Sequence, residues 1–169
     1  APGANTINVV VTAQDGTTTK SYTVTVTRQA ASSNANLSAL SLSSGSLSPT
    51  FASATTAYTS SVANSVTSIR VTPTVDDATA TVTVNGTSVS SGQASNAIAL
   101  IVGLNTINVV VTAEDGTTTK SYTVSVTREA SSNANLSALS LSSGSLSPTF
   151  ASATTAYNAT VANSVSSIT

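Results

Sequence analysis

The chain contains no cysteine, no histidine, no tryptophan and no methionine. Without Cys there is no disulfide and no thiolate metal site. A thiol-free chain suits oxidising and reducing surroundings alike. Without His the commonest general base and metal ligand are missing. Charge is scarce as well: 7% of the 169 residues are Asp, Glu, Lys or Arg, against about 25% in an ordinary domain. The net charge is −1 and no basic run interleaves with aromatics, so the electrostatic footprint of nucleic-acid binding is absent. No apolar run approaches the ~18 residues of a membrane span, and no membrane insertion is expected in this segment. No signal-peptide pattern opens the chain, which fits a numbering that begins after any such segment.

What remains is hydroxyls and β-branched side chains. Ser and Thr make up roughly a third of the sequence. A hydroxyl-rich, charge-poor composition can belong to a disordered chain, but such chains are poor in β-branched residues. Here Val, Ile and Thr alternate, as on pleated, half-buried surfaces.

The strongest pattern lies between Asn105 and Arg128. Ile107, Val109, Val111 and Ala113 recur at every second position; after Asp115-Gly116, Tyr122, Val124 and Val126 do the same. Two period-2 runs around Asp-Gly predict a β-hairpin, with the Asp in a left-handed turn conformation beside Gly. The same pattern stands between Asn5 and Arg28, with Gln14 for Glu114 and Thr25 for Ser125.

Residues 37–58 are identical to residues 136–157. The shift is 99 residues there and 100 between the hairpins, because Ala30-Ala31 is matched by Ala130 alone. The expected organisation is the closing hairpin of a preceding repeat at 1–30, one complete repeat at 34–128, and the opening part of a following repeat at 133–169.

Within the complete repeat, Leu37, Leu40 and Leu42 start an edge segment broken at Gly45 and resumed at Leu47-Ser48-Pro49. Strands follow around Tyr58 to Val62, Ile69 to Pro73, Ala80 to Val84, Val89, and Ile98 to Val102, with turns at Asp76-Asp77-Ala78, Asn85-Gly86 and Ser91-Gly92. About eight short strands with a turn every ten or so residues predict an all-β, immunoglobulin-like antiparallel sandwich. Its expected core is Leu40, Leu42, Leu47, Phe51, Tyr58, Val62, Ile69, Val71, Val82, Val84, Ile98, Leu100, Ile107, Val109, Val111, Tyr122, Val124 and Val126.

The run Asn-Leu-Ser-Ala-Leu-Ser-Leu-Ser-Ser-Gly-Ser-Leu-Ser-Pro-Thr-Phe at residues 36–51, Tyr58, Val-Asn-Gly at 84–86 and Asp-Gly-Thr-Thr-Thr-Lys-Ser-Tyr-Thr-Val at 115–124 resemble the cadherin-like β-sandwich repeats of bacterial surface and secreted proteins. That resemblance implies an extracellular, elongated parent of many domains, in which the module is a spacer or adhesive unit. It implies no catalytic residues. The Asp-rich calcium motifs of true cadherins are absent from this chain.

A search for chemistry yields few candidates. Asp76 and Asp77 could meet Glu129 around an inter-repeat cation, although calcium wants six to eight clustered oxygens. Lys20 and Lys120 could pair with a Ser nucleophile, but they follow a hairpin turn where solvation is expected, and nothing fixes a base. Lys120 could form an isopeptide bond with an Asn if an acid were buried beside them. Arg28 and Arg128 share phase with inward residues and are expected to reach solvent or pair with Glu129 or Asp77. Asn36, Asn85, Asn135 and Asn158 fit the N-glycan acceptor pattern, which a Ser/Thr-rich chain produces by chance.

No catalytic, cofactor or metal site is therefore assigned. The expected role is a structural, adhesive repeat of an extracellular stalk or filament at the cell surface, its partners neighbouring repeats of the same protein in a homopolymer or fibre. The chain is read as a section of a long array, in preference to strand exchange between copies, because 133–169 and 1–28 together lack the counterpart of 71–100. The alternative is a carbohydrate-binding accessory module on surface polysaccharide, which would present Tyr22, Tyr58, Tyr122 or Tyr157 as exposed platforms.

Overall fold

The structure, a computed structural model, describes residues 2–169. Its contacts divide the chain into two compact units, Ala1–Ala130 and Ser131–Thr169. Among the described residues every regular element is a strand.

In the first unit, β1 (Gly3–Thr12) and β2 (Thr19–Arg28) pair only with each other. The remaining strands build a two-layered body: β3 (Leu37–Leu42), β4 (Ala57–Val62), β5 (Ser68–Ile69), β6 (Val71–Val75), β7 (Thr81–Val84), β8 (Thr87–Val89), β9 (Ile98–Ala99), β10 (Gly103–Thr112) and β11 (Thr119–Arg128). One layer is a five-stranded sheet in the order β4-β11-β10-β7-β8; the other consists of the pairs β3-β6 and β5-β9. We refer to this body as the closed unit.

Alternation decides which side chains enter the core. Ile107, Val109 and Val111 on β10 and Tyr122, Val124 and Val126 on β11 have no exposed surface. Thr and Asn between them face outward, as a period of two requires. Leu37, Leu40, Val71 and Val75 close the core from the second layer. Pro73 is buried on β6, whose sole partner is β3; a strand with one neighbour can carry a residue that lacks an N–H. Each buried aliphatic contributes ~1.5–3 kcal/mol before conformational entropy is set against it.

Four expectations need correction. The hairpin turn is a six-residue loop, residues 113–118, closed by the Ala113 N–H donating to Thr118 O at 2.9 Å. Gly116 takes the left-handed conformation at φ 71° and Asp115 does not. Instead the Asp115 carboxylate accepts the Thr117 and Thr118 amides. A true two-residue turn occurs at Asn85-Gly86, with φ of 48° and 79°, the paired positive values of a type I′ hairpin.

The expected strand from Ile98 to Val102 stops at Ala99, and Ile101 and Val102 are exposed. The Asn105 side chain accepts the Ile101 amide and donates to the carbonyls of Ile101 and Gly103, taking up backbone groups that a sheet neighbour would otherwise satisfy. Leu37, absent from the expected core, is fully buried although β3 is an edge strand as expected, while Leu42, Leu47, Phe51 and Ile98 are only partly buried. Finally, β4 runs parallel to β11, Tyr58 opposite Val124 and Val62 opposite Arg128, in a sandwich expected to be antiparallel throughout.

The second unit repeats the sequence of β3, and that of β4 except at Asn158, Ala159 and Thr160, without forming either strand. Its local corner survives. Ser147 pairs with Asn158 as Ser48 pairs with Thr59. The Tyr157 hydroxyl accepts the Ala151 amide and donates to the Ala151 carbonyl, as Tyr58 does with Ala52. Leu136 and Leu139 are exposed.

Candidate functional site

The two ends of the closed unit carry its polar networks. At the incoming end, Ser32 is gripped by the β10–β11 loop: its amide donates to Glu114 Oε2 at 2.8 Å, and its carbonyl accepts the Asp115 amide at 3.1 Å. The Asp77 carboxylate accepts the amide and hydroxyl of Thr79, and the influence of the Ser32 hydroxyl, followed by these Thr79 bonds, lowers its pKa from 3.8 to about 2. Asn34 Nδ2 donates to Asp76 at 2.8 Å. The incoming segment is therefore held by two turns, the β10–β11 loop and the turn at Asp76-Asp77.

At the outgoing end, Arg128 Nε and Nη2 donate to Asn64 O at 2.9 and 2.7 Å, and Nη1 donates to Leu100 O at 3.0 Å. The Glu129 amide donates to Val62 O, its carboxylate accepts from Ser61 Oγ, and its carbonyl accepts from Asn64 Nδ2. Arg128 thus caps backbone carbonyls, where the sequence predicts solvent or an acidic partner. A guanidinium with five donors in a fixed fork suits a cluster of strand-end carbonyls.

These ends are opposite. Ser32 binds the tip of the β10–β11 hairpin, and Arg128 sits at its base, opposite Gly103. Ten-residue strands at ~3.4 Å per residue place tip and base roughly 30 Å apart.

The chemical candidates find other employment. Asp76 and Asp77 bind the incoming segment while Glu129 binds Ser61. Among the described residues no three His, Cys, Asp or Glu side chains stand close enough to hold a metal ion. Lys120 is not simply solvated: Nζ donates to Asn36 Oδ1 at 2.8 Å and Ser53 O at 2.6 Å, and lies 5.2 Å from the Tyr122 ring centre. The Lys–Asn pair wanted for an isopeptide is present, but the nearby carboxylate Asp76 is engaged with Asn34, and a half-exposed ammonium is a poor nucleophile. Asn85 fills the tight turn, accepting the Asn108 amide, and Asn158 lies in the bridge with Ser147.

Tyr58 and Tyr122 are buried. The Tyr122 hydroxyl accepts the Leu37 amide at 2.9 Å and donates to Ser53 O at 3.1 Å. Tyr22, its counterpart on β2, is half exposed. Sequence reasoning missed the Ser32–Glu114 and Lys120–Asn36 links, since each joins residues more than eighty positions apart and no periodicity encodes such a pairing. The surface hollow lined by Leu40, Leu42, Leu47 and Phe51 carries no carboxylate or amine. An active site needs convergent polar groups.

Two comparisons bear on this architecture. The model of the family described as "Cadherin-like beta sandwich domain" matches residues 1–29 and 37–129. A curated protein of Evansella cellulosilytica, named "Putative membrane protein", is 45% identical over 106 residues, which is 63% of this chain and 16% of that relative's length. The chain thus spans under a fifth of the relative it matches. No helix among the described residues is long and apolar enough to cross a membrane.

Proposed function

The chain belongs to the cadherin-like β-sandwich domain family, and from that membership we propose that it is a structural repeat: a rigid spacer, and the self-associating unit of an adhesive array, in an extracellular stalk or filament. One observation carries the reading. The incoming segment is bound at the hairpin tip and the outgoing one at its base, so the closed unit keeps its own length between the two attachments. The first residues of both linkers are fastened to the closed unit by several hydrogen bonds. Solenoid-like arrays of this kind behave as nearly one-dimensional bodies. The resemblance to a much longer relative with a membrane-protein name supports a cell-envelope setting. The burial of both tyrosines in the closed unit weighs against a sugar-stacking platform.

Covalent tandems of one to four complete repeats test this by small-angle scattering. The expected maximum dimension grows linearly by about 40 Å per copy, a ten-residue strand plus its linker. Growth that levels off as copies are added would overturn the spacer.

A further inference from the structure

The second layer of the closed unit ends in an open strand. Among the described residues β3 has β6 as its sole sheet neighbour. β6 turns part of its backbone to its other side: the Val71 amide donates to Ser95 Oγ, the Val71 carbonyl accepts the Ser95 amide, and the Pro73 carbonyl accepts the Gly92 amide. Opposite residues of an antiparallel pair alternate between bonded and unbonded. Leu42 stands opposite Val71 and Leu40 opposite Pro73, so both are unbonded pairs. Leu40 and Leu42 therefore direct their amides and carbonyls away from β6, to the open side. All strands of this repeat are present, so its own fold holds nothing further to cover that side.

Open edges are ordinarily guarded by charge, proline or a bulge. β3, Leu-Ser-Ala-Leu-Ser-Leu, has no charge and no proline, and no charged residue occurs from Gln29 to Ile69. The register shift between Leu37 and Ala39 leaves Ala39 to Leu42 in regular pairing. Beside them lies the hollow of about 370 Å³ lined by Leu40, Leu42, Leu47 and Phe51, where Leu42, Leu47 and Phe51 are only partly buried. A strand added to such an edge satisfies main-chain groups and covers the apolar side chains that flank them.

We propose that the open edge of β3 pairs with β3 of a second copy, antiparallel and about a two-fold axis, joining the second layers of two closed units into one sheet. A charged strand would find no counter-charge here. β3 itself is an uncharged strand with the same spacing of free amides and carbonyls. The bonding parity lets Leu40 exchange both of its bonds with Leu40 of the second copy. That register overlaps the strands most fully, and it puts the exposed Ala39 opposite the exposed Ser41 of the other copy. The joint is isologous, one edge from each copy. It is also short, hence weak and reversible on its own. Residues 136–141 repeat the β3 sequence, so an array carries this strand once per repeat, and linked contacts exceed a single one by ~10²–10⁴ in avidity.

This inference deepens the self-associating part of the array reading and rests on it for the choice of partner. The chain has no cysteine of its own, which makes disulfide trapping site-specific. Full chains carrying Ala39→Cys are mixed with full chains carrying Ser41→Cys under mild oxidation, and the crosslinked dimer is followed by mass. Opposite unbonded residues lie ~4.5 Å apart between Cα atoms, within disulfide reach, whereas diagonal neighbours lie ~7–8 Å apart, outside it. The mixed dimer is therefore expected to form about ten-fold faster, or more, than either variant crosslinks with itself. Both positions are exposed, so each variant should melt like the wild type. Ser121→Cys, on the outer face of β11, gives the rate of random collision. A mixture no faster than the single variants, or no faster than Ser121→Cys, would overturn the proposal. Such a failure leaves the length of covalent tandems as it was, and a failure of those lengths leaves the crosslink untouched.

Discussion

The hairpins β1–β2 and β10–β11 share one register, from Gly3 opposite Arg28 and Gly103 opposite Arg128 to Thr12 opposite Thr19 and Thr112 opposite Thr119. Their burial is opposite. Val24 is 52% exposed and Val124 is completely covered. Hairpin geometry is thus a local property, set by the loop and its Asp cap. Burial is conferred by the second layer, which only β10–β11 possesses. The opening segments teach the complementary lesson. Residues 37–58 and 136–157 are identical, yet among the described residues the first copy alone forms strands, with β6 and β11 as partners for its backbone groups. What both copies keep is the short-range corner of Tyr58 and Tyr157.

The contrast can be broken most severely at the leucine the copies share. Leu37→Ala is expected to destabilise the closed unit by about 2–5 kcal/mol through the cavity it leaves. Leu136→Ala, the same change in the open copy, should stay within about 0.5 kcal/mol. Denaturant melts of both variants in dilute solution decide it, and equal effects would mean that the open copy is packed as tightly as the closed one.

The tyrosines give a smaller effect. Tyr122→Phe leaves the buried Leu37 amide without its acceptor, a loss of about 1–3 kcal/mol. Tyr22→Phe should change the same melt by less than about 0.5 kcal/mol.

The smallest contrast is expected to vanish. Asp15 and Asp115 sit in loops that differ only at Gln14 and Glu114, each with a pKa lowered from 3.8 to about 2, mainly by the hydroxyl of Thr18 or Thr118 and then by the backbone amides. A folded-state pKa below the unfolded value means that the unfolded chain takes up protons first. The stabilisation is therefore complete above about pH 4 and is lost as pH falls toward 2. Carboxyl NMR titration should give both residues the same low midpoint. An ordinary value at Asp15 alone would show that this loop, too, depends on the second layer.

These distinctions explain what could be read from the sequence. The period-2 runs of β10 and β11 placed six core side chains and the strand pairing correctly, since alternation is local and the turn lies between them. Most of the expected core, Leu40, Tyr58, Val62 and Val71 among it, is buried. Leu37 was misjudged because it precedes any full alternation; the Tyr122 hydroxyl that fixes its amide comes from a distant strand. The parallel contact of β4 with β11 was invisible for the same reason. At the linkers, Asp77 and Arg128 stood out by charge alone. Their partners, the Ser32 hydroxyl and the Asn64 carbonyl, have no compositional signature in a chain so rich in Ser and Asn.

The parallel ladder of β4 and β11 has a consequence for a molecule pulled at its two ends. The last strand leaves at Arg128 while the incoming segment is tied near Ser32 at the far end. Tension between them runs along the ladder and loads its bonds in shear, all together, where an edge peeled from one end would unzip bond by bond. The placement of β11 beside β4 is thus an arrangement suited to resisting traction.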